Sequence, residues 1–133
     1  MDLDDRIRTF LDGRSFAVVG ASNDRSKYGN RVLRVYQQNR LTVYPVNPNA
    51  KEVEGLACCP DLASLPEPVH GVSIVTPPSV TERIVEEAYT AGIQYLWMQP
   101  GAESARAVER AEELGLHVIA GGPCVLVTLG YRE

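Results

Sequence analysis

The amino-acid sequence predicts an α/β fold: a Rossmann-like, doubly wound parallel sheet in three α/β/α layers, with about five strands in the order 3-2-1-4-5. Three observations lead there. Short apolar runs alternate with segments whose apolar residues recur at helical spacing, which implies crossover connections and a sheet covered on both faces. Glycine or proline closes most of these segments. One apolar run, Phe16-Ala-Val-Val-Gly20, leads into a stretch from Arg25 to Lys51 that contains no carboxylate. That stretch holds Arg25, Lys27, Arg31, Arg34, Arg40 and Lys51, six of the 13 basic residues, in a chain with 17 acidic ones. Strand, loop, helix and second strand follow in the order a nucleotide site requires, with positive charge where phosphates would lie.

The elements follow in chain order. A first helix is predicted over Asp2–Leu11, with Ile7, Phe10 and Leu11 on one face and Gly13 as its stop. The first strand is Phe16–Val19. A helix begins near Tyr28 or Gly29 and presents Val32, Leu33, Val35 and Tyr36 on one side. Thr42–Val46 is the second strand, closed by Asn47-Pro48-Asn49, a strong turn signal. Residues 50–70 are the least regular, with one helical turn predicted at Asp61–Leu65. Val72–Val75 is the third strand, ended by Pro77-Pro78. The helix after it starts at Ser79 or its neighbour, buries Val80, Ile84, Val85 and Ala88, and stops at Gly92. Tyr95–Met98 is the fourth strand. A helix over Glu103–Leu114 turns Ala107, Val108, Ala111 and Leu114 inward and ends at Gly115. His117–Ala120 is the fifth strand, followed by a glycine loop and an apolar tail that should pack on the sheet.

Composition narrows the function. At 133 residues the chain predicts a single domain over 1–133 that can bury a core without disulfides or metal. A net charge of -4 argues against general nucleic-acid binding. No apolar run approaches the ~20 residues of a membrane span, and Met-Asp-Leu-Asp-Asp lacks the basic start of a secretory signal. Three cysteines, Cys58, Cys59 and Cys124, do not make a disulfide framework; reduced thiols in a cytoplasm are the expectation.

In such sheets ligands bind beyond the carboxyl ends of the strands, at the switch point beside strand one. Four loops fall there: Ala21–Lys27, Asn47–Asn49, Thr76–Ser79 and Gln99–Ala102. The glycines are not those of the dinucleotide fingerprint, since positions 22 and 25 hold Ser22 and Arg25. A wider loop can still offer backbone N–H groups, the Ser22 hydroxyl and Lys27 to a pyrophosphate. The end of strand two is more discriminating. An NAD site places an acid there to bond the ribose hydroxyls, whereas this chain has Val46-Asn47-Pro48-Asn49 and no acid before Glu52. That tolerates a phosphorylated ribose and leaves NADP or coenzyme A.

At these residues the chain resembles the small, single-domain coenzyme A-binding proteins, whose Rossmann-like domain is related to the amino-terminal domain of the succinyl-CoA synthetase alpha subunit and to ADP-forming acyl-CoA synthetases. The matching pieces are Val18-Val19-Gly20-Ala21-Ser22, Lys27-Tyr28-Gly29, Tyr44-Pro45-Val46-Asn47-Pro48, Gly55, Val75-Thr76-Pro77-Pro78, Trp97-Met98-Gln99-Pro100-Gly101-Ala102 and Cys124-Val125-Leu126-Val127. Together they run from about Leu11 to Val127. The resemblance implies that Gly20, Ala21, Ser22 and Lys27 hold the coenzyme's phosphates, with Arg25, Tyr28 and Gly29 in the same segment. It implies that Asn47 and Pro48 border the adenosine, that Thr76, Pro77 and Pro78 form an apolar shelf, and that Gln99, Gly101 and Ala102 close the pocket.

Catalysis is not the expectation. The synthetase relatives, by the same resemblance, use a phosphorylated histidine from a second domain, and these 133 residues are too few to include one. His70 and His117 fall at the amino ends of strands three and five, away from the ligand edge. Cys124 lies at that edge, either as a thiol beside a pantetheine arm or as a small residue packing the tail. The reading is therefore a non-catalytic module for coenzyme A or an acyl-CoA. The alternatives are an NADP-binding reductase, an acyl-CoA synthetase subunit needing a partner chain, and a metabolite or redox sensor acting on a partner protein.

Overall fold

Side-chain periodicity becomes three layers in the computed structural model, which describes residues 2–133. Asp2 caps α1 (Leu3–Leu11) by accepting the Asp5 N–H at 2.9 Å. The chain continues through β1 (Ser15–Val19), α2 (Tyr28–Gln38), β2 (Thr42–Val46), β3 (Glu52–Val53), β4 (Leu56–Ala57), a 3₁₀ turn at Leu62–Ser64 and β5 (Gly71–Ile74). It ends with α3 (Pro78–Thr90), β6 (Tyr95–Met98), α4 (Ala105–Glu113), β7 (His117–Ile119) and α5 (Val125–Thr128). The predicted strands and long helices are all present. The hairpin of β3 and β4, inside the segment expected to be irregular, and the short α5 were not foreseen.

The main sheet is parallel and runs β2-β1-β5-β6-β7. Counting only its five strands in chain order, that is 2-1-3-4-5, so the expected order 3-2-1-4-5 is corrected. Strand three pairs with strand one, Phe16 opposite Gly71, instead of lying outside strand two. Pro45 gives the physical reason. Its carbonyl accepts from the Cys59 N–H at 3.0 Å on the outer side of β2, so its missing N–H also faces outward. Had β2 been an interior strand, that missing donor would have left a ladder carbonyl unpaired. Residues around Cys59 cover the edge instead, through a single parallel bridge to Val46. The switch point lies between β1 and β5, and the rule placing ligands there holds for this order too.

Two apolar clusters occupy the two faces. One joins Ala17, Ile74 and Met98 to Ile84, Val85 and Ala88 of α3 and Ala107 and Ala111 of α4. The other joins Phe16, Val18 and Trp97 to Phe10 of α1, Val32, Leu33 and Tyr36 of α2 and Val125 of α5. The apolar tail thus packs on the sheet through Val125, while Val127 stays 82% exposed.

At the amino edge, the rings of His70, Tyr95 and His117 stack across three adjacent strands, with centroids 4.5 and 4.9 Å apart. His70 Nε2 also bonds the Thr9 carbonyl at 2.9 Å. Both histidines therefore sit where the sequence placed them. No helix among the described residues is long and apolar enough to cross a membrane.

Candidate nucleotide-binding loops at the carboxyl edge

The loop after β1 is built around two close approaches. Gly20 has φ 96°, and a Cβ there would lie 2.2 Å from the Val75 carbonyl oxygen. A Cβ on Gly29 would lie 2.0 Å from the Gly20 carbonyl oxygen, so α2 starts directly against the loop. Within the loop, Ser22 Oγ accepts the Asp24 N–H at 3.1 Å, and Asp24 accepts the Ser26 N–H and hydroxyl at 3.0 and 2.6 Å. The bonds from Ser26, and less the charge of Lys27, hold the Asp24 carboxyl below the usual carboxylate range.

Lys27 is the N-cap of α2, yet no side chain caps this helix and its first turn has no acid. Its first N–H groups and the positive end of its dipole are left for another anion. Lys27 is exposed and joins no salt bridge among the described residues.

The other loops are tied to this one. Asn47 Nδ2 donates to the Ala21 carbonyl at 2.7 Å, while its Oδ1 accepts the Asn49 N–H at 2.8 Å. Both ends of this side chain are engaged, so it spaces the two loops and leaves Pro48 exposed. Thr76 Oγ1 pairs with the buried Thr81 hydroxyl at 2.7 Å, beside exposed Pro77 and Pro78 at the start of α3.

Gln99 is fully buried. Its Oε1 accepts the Val125 N–H at 3.0 Å and lies 3.5 Å from the Tyr28 hydroxyl, and its Nε2 reaches Ser73 Oγ at 3.5 Å. Ser73 in turn pairs with the Tyr36 hydroxyl at 2.6 Å. This network fastens α5 and α2 to the sheet beneath the loops. Ala102 is also buried, with its N–H on the Gln99 carbonyl at 2.9 Å, so of this loop Pro100 and Gly101 face solvent. Tyr28 touches Cys124 Sγ through its hydroxyl. Burial, then that contact, raises the Tyr28 phenol well above its ordinary value and keeps it protonated.

Charge is the point where tertiary structure changes the sequence reading. The β3–β4 hairpin returns Glu54 to the loop, where its carboxylate receives Arg25 at 2.8 and 3.2 Å. Asn30, fully buried, donates to Glu54 at 2.9 Å and to the Ser22 carbonyl at 2.8 Å, and accepts Arg34 Nε at 2.7 Å. Bonds from Arg25 and then Asn30 hold the Glu54 carboxyl below its ordinary value, against the effect of burial. Arg31 and Arg34 lie over the rings of Tyr28 and Tyr131 at 6.0 and 5.4 Å. The carboxylate-free stretch is therefore not charge-isolated, and Arg25 already has a partner.

Glu54 and Asn30 are the residues that sequence reasoning missed. Two signals were available: an acid beside Gly55 at a turn, and an amide three residues before Leu33 on the apolar side of α2. Apolar grooves lie elsewhere. One of about 610 Å³ is lined by Leu65, Pro66, Val69 and Ile93, and one of about 470 Å³ runs beside Leu41, Tyr44 and Leu56. A phosphate is held by donors, not by apolar hollows, and the starts of α2 and α3, both without a side-chain cap, lie at the carboxyl edge.

Relatives carry the same architecture. A conserved hypothetical protein from Pyrococcus furiosus superposes with TM-score 0.82 at 40% identity, over 86% of this chain and 98% of that one. The acetate–CoA ligase (ADP-forming) II subunit alpha of the same organism is 32% identical over 129 residues, 87% of this chain and 28% of its own length. The acetate–CoA ligase (ADP-forming) I of Archaeoglobus fulgidus is 30% identical over 113 residues, 77% of this chain. The chain spans only 16% of that ligase. Residues 14–130 match the profile of the CoA binding domain, and with that match the chain belongs to the CoA-binding domain family.

Proposed function

We propose that this chain binds coenzyme A or an acyl derivative at the carboxyl edge of its sheet, as a single non-catalytic module. The observation that carries the reading is the uncapped start of α2, with Lys27 beside it, immediately after β1 in a member of this family. The residues fit the ligand in kind. The first backbone N–H groups of α2 and the Lys27 ammonium suit the phosphates, while exposed Pro48, Pro77 and Pro78 offer apolar borders for the adenosine and the pantetheine arm. In this reading Asn47, Gln99 and Ala102 shape the site from behind, and Gly101 lets the chain turn in front of it.

A binding role is favoured over catalysis by where the titratable groups lie. His70 and His117 are engaged in the stack at the opposite edge, and Tyr28 is held protonated. Three free thiols suit a reducing cytoplasm. One specific observation supports a second reading, a ligase component acting with further domains or a partner chain: the curated relatives are acetate–CoA ligases several times longer than the matched region. Family membership weighs against NADP.

Mass spectrometry of ligand released from freshly purified protein, with thermal melts in coenzyme A, NADP and NAD, tests the proposal. At a hundred times its dissociation constant a ligand adds about 2.7 kcal/mol, a rise of several degrees for a domain of this size. Coenzyme A should give the largest shift. A larger shift with NAD would overturn the assignment.

A further inference from the structure

Glu54 occupies a position that its own chemistry disfavours. It has φ 48° and Gly55 has φ 80°, so the two form the tight turn between β3 and β4, where Asn-Gly is the favoured pair. A left-handed glutamate needs a compensating contact. Here the contact is with the candidate phosphate loop. The carboxylate takes two bonds from Arg25 and one from Asn30. The Glu54 side chain is 14% exposed and that of Arg25 is 67% exposed, so Arg25 reaches inward from solvent and a ligand arriving from solvent meets Arg25 first.

We propose that Glu54 is an internal counter-ion of the phosphate loop, which holds Arg25 until a ligand phosphate takes its place. The inference rests on the anion-binding reading of the loop and adds the residue that sets its affinity. The pair reaches Glu54 from a solvent-facing arginine and contributes little to stability, and a phosphate offers the guanidinium charge-assisted bonds of the same bidentate kind, so a ligand can take the place of Glu54. The hairpin does not depend on Arg25 to stay in place. Asn23 Nδ2 donates to the Glu52 carbonyl at 2.8 Å, Gln37 Nε2 to the Glu54 carbonyl at 3.2 Å, and Asn30 still reaches the Glu54 side chain. Arg25 lies two residues before Lys27, so the released guanidinium joins the charge already at the start of α2.

The experiment compares wild type, Glu54→Gln, Arg25→Ala and the double variant, each titrated calorimetrically with coenzyme A and with inorganic pyrophosphate at low and high salt. Glu54→Gln should bind both about threefold to fivefold more tightly, with a steeper loss on adding salt. Arg25→Ala should bind more weakly, and the double variant should show none of the gain. Weaker or unchanged binding in Glu54→Gln overturns the proposal and makes Glu54 a static clamp. A gain that survives in the double variant overturns it as well, since the effect would not pass through Arg25. If Glu54→Gln does not fold, Arg25→Ala alone decides: unaltered affinity and salt dependence reject the proposal. The two readings fail separately. If coenzyme A binds nowhere but pyrophosphate shows the pattern, the coenzyme assignment falls and the counter-ion stands. If neither ligand binds any of the four, both fall.

Discussion

The helices α2 and α4 both start at the carboxyl edge of the sheet, after β1 and β6, and they close their first turns in opposite ways. In α4, Ser104 accepts the Ala107 N–H at 3.0 Å and donates to Glu82 at 3.1 Å, so the end is capped and tied to α3. Arg110 on Glu86, at 2.6 Å, reinforces that face. In α2 the N-cap is Lys27, with no side-chain cap and no acid in the first turn. A helix end capped by its own side chain has one donor fewer for a ligand. One that presents a cation and open N–H groups is stable only if water or an anion completes it. Of the two loops, the contrast leaves the one after β1 open to an anion.

The largest effect is expected where α2 meets the loop. Gly29→Ala would push a methyl group to 2.0 Å from the Gly20 carbonyl oxygen. A shift of backbone is required, which costs roughly 2–3 kcal/mol and lowers the melting temperature by roughly ten degrees. Coenzyme A binding should be lost with it. A melt within two degrees or so of wild type would mean that the two glycines are not in enforced contact.

Lys27→Asp sharpens the comparison by making α2 resemble α4. The backbone at this position is extended, with φ -89° and ψ 148°, as a capping aspartate requires. Stability should rise by about 0.5–1 kcal/mol, while coenzyme A affinity falls by tenfold or more. Opposite signs are the diagnostic; a loss of both stability and affinity would break the distinction.

Ser104→Ala is the converse. Loss of the cap should cost about 1 kcal/mol and a few degrees in the melt, with coenzyme A affinity unchanged by isothermal calorimetry. If affinity drops as far as in Lys27→Asp, the two helix ends act as one unit. The smallest effect is expected for Cys124→Ser, whose contact with Tyr28 a hydroxyl can keep. Affinity for coenzyme A should hardly move, and intact-mass measurement with acetyl-CoA should show no adduct. A stoichiometric acyl adduct that disappears in Cys124→Ser would make the chain a transferase.

Legibility varied with the range of each interaction. Strand and helix positions were readable because periodicity and stop residues are local: β2 and β6 have the predicted bounds, and α2 starts at Tyr28. The gathering of the four loops at one edge followed from the succession of strands along the chain, since parallel strands bring their following loops to one edge. Side-chain roles were less readable. Asn47 and Gln99 were read as pocket residues, and the structure shows both making internal bonds that hold the loops. A polar residue in a loop motif gives no indication, from sequence, of which way its amide will turn.

By itself, the sequence determined the alternation of elements, the two-faced parallel sheet, the edge that carries the loops and the family. These depend on neighbours a few residues apart, where spacing is information enough. Tertiary structure alone decided that β5 lies beside β1, and that Glu54 returns across the β3–β4 hairpin to meet Arg25. Both are pairings between distant segments, chosen by edge-strand hydrogen bonding and burial. Pro45 carried the first in the sequence, as a missing donor whose direction shows only once the strand has neighbours. The second had no local signature beyond a glutamate placed where a turn prefers asparagine.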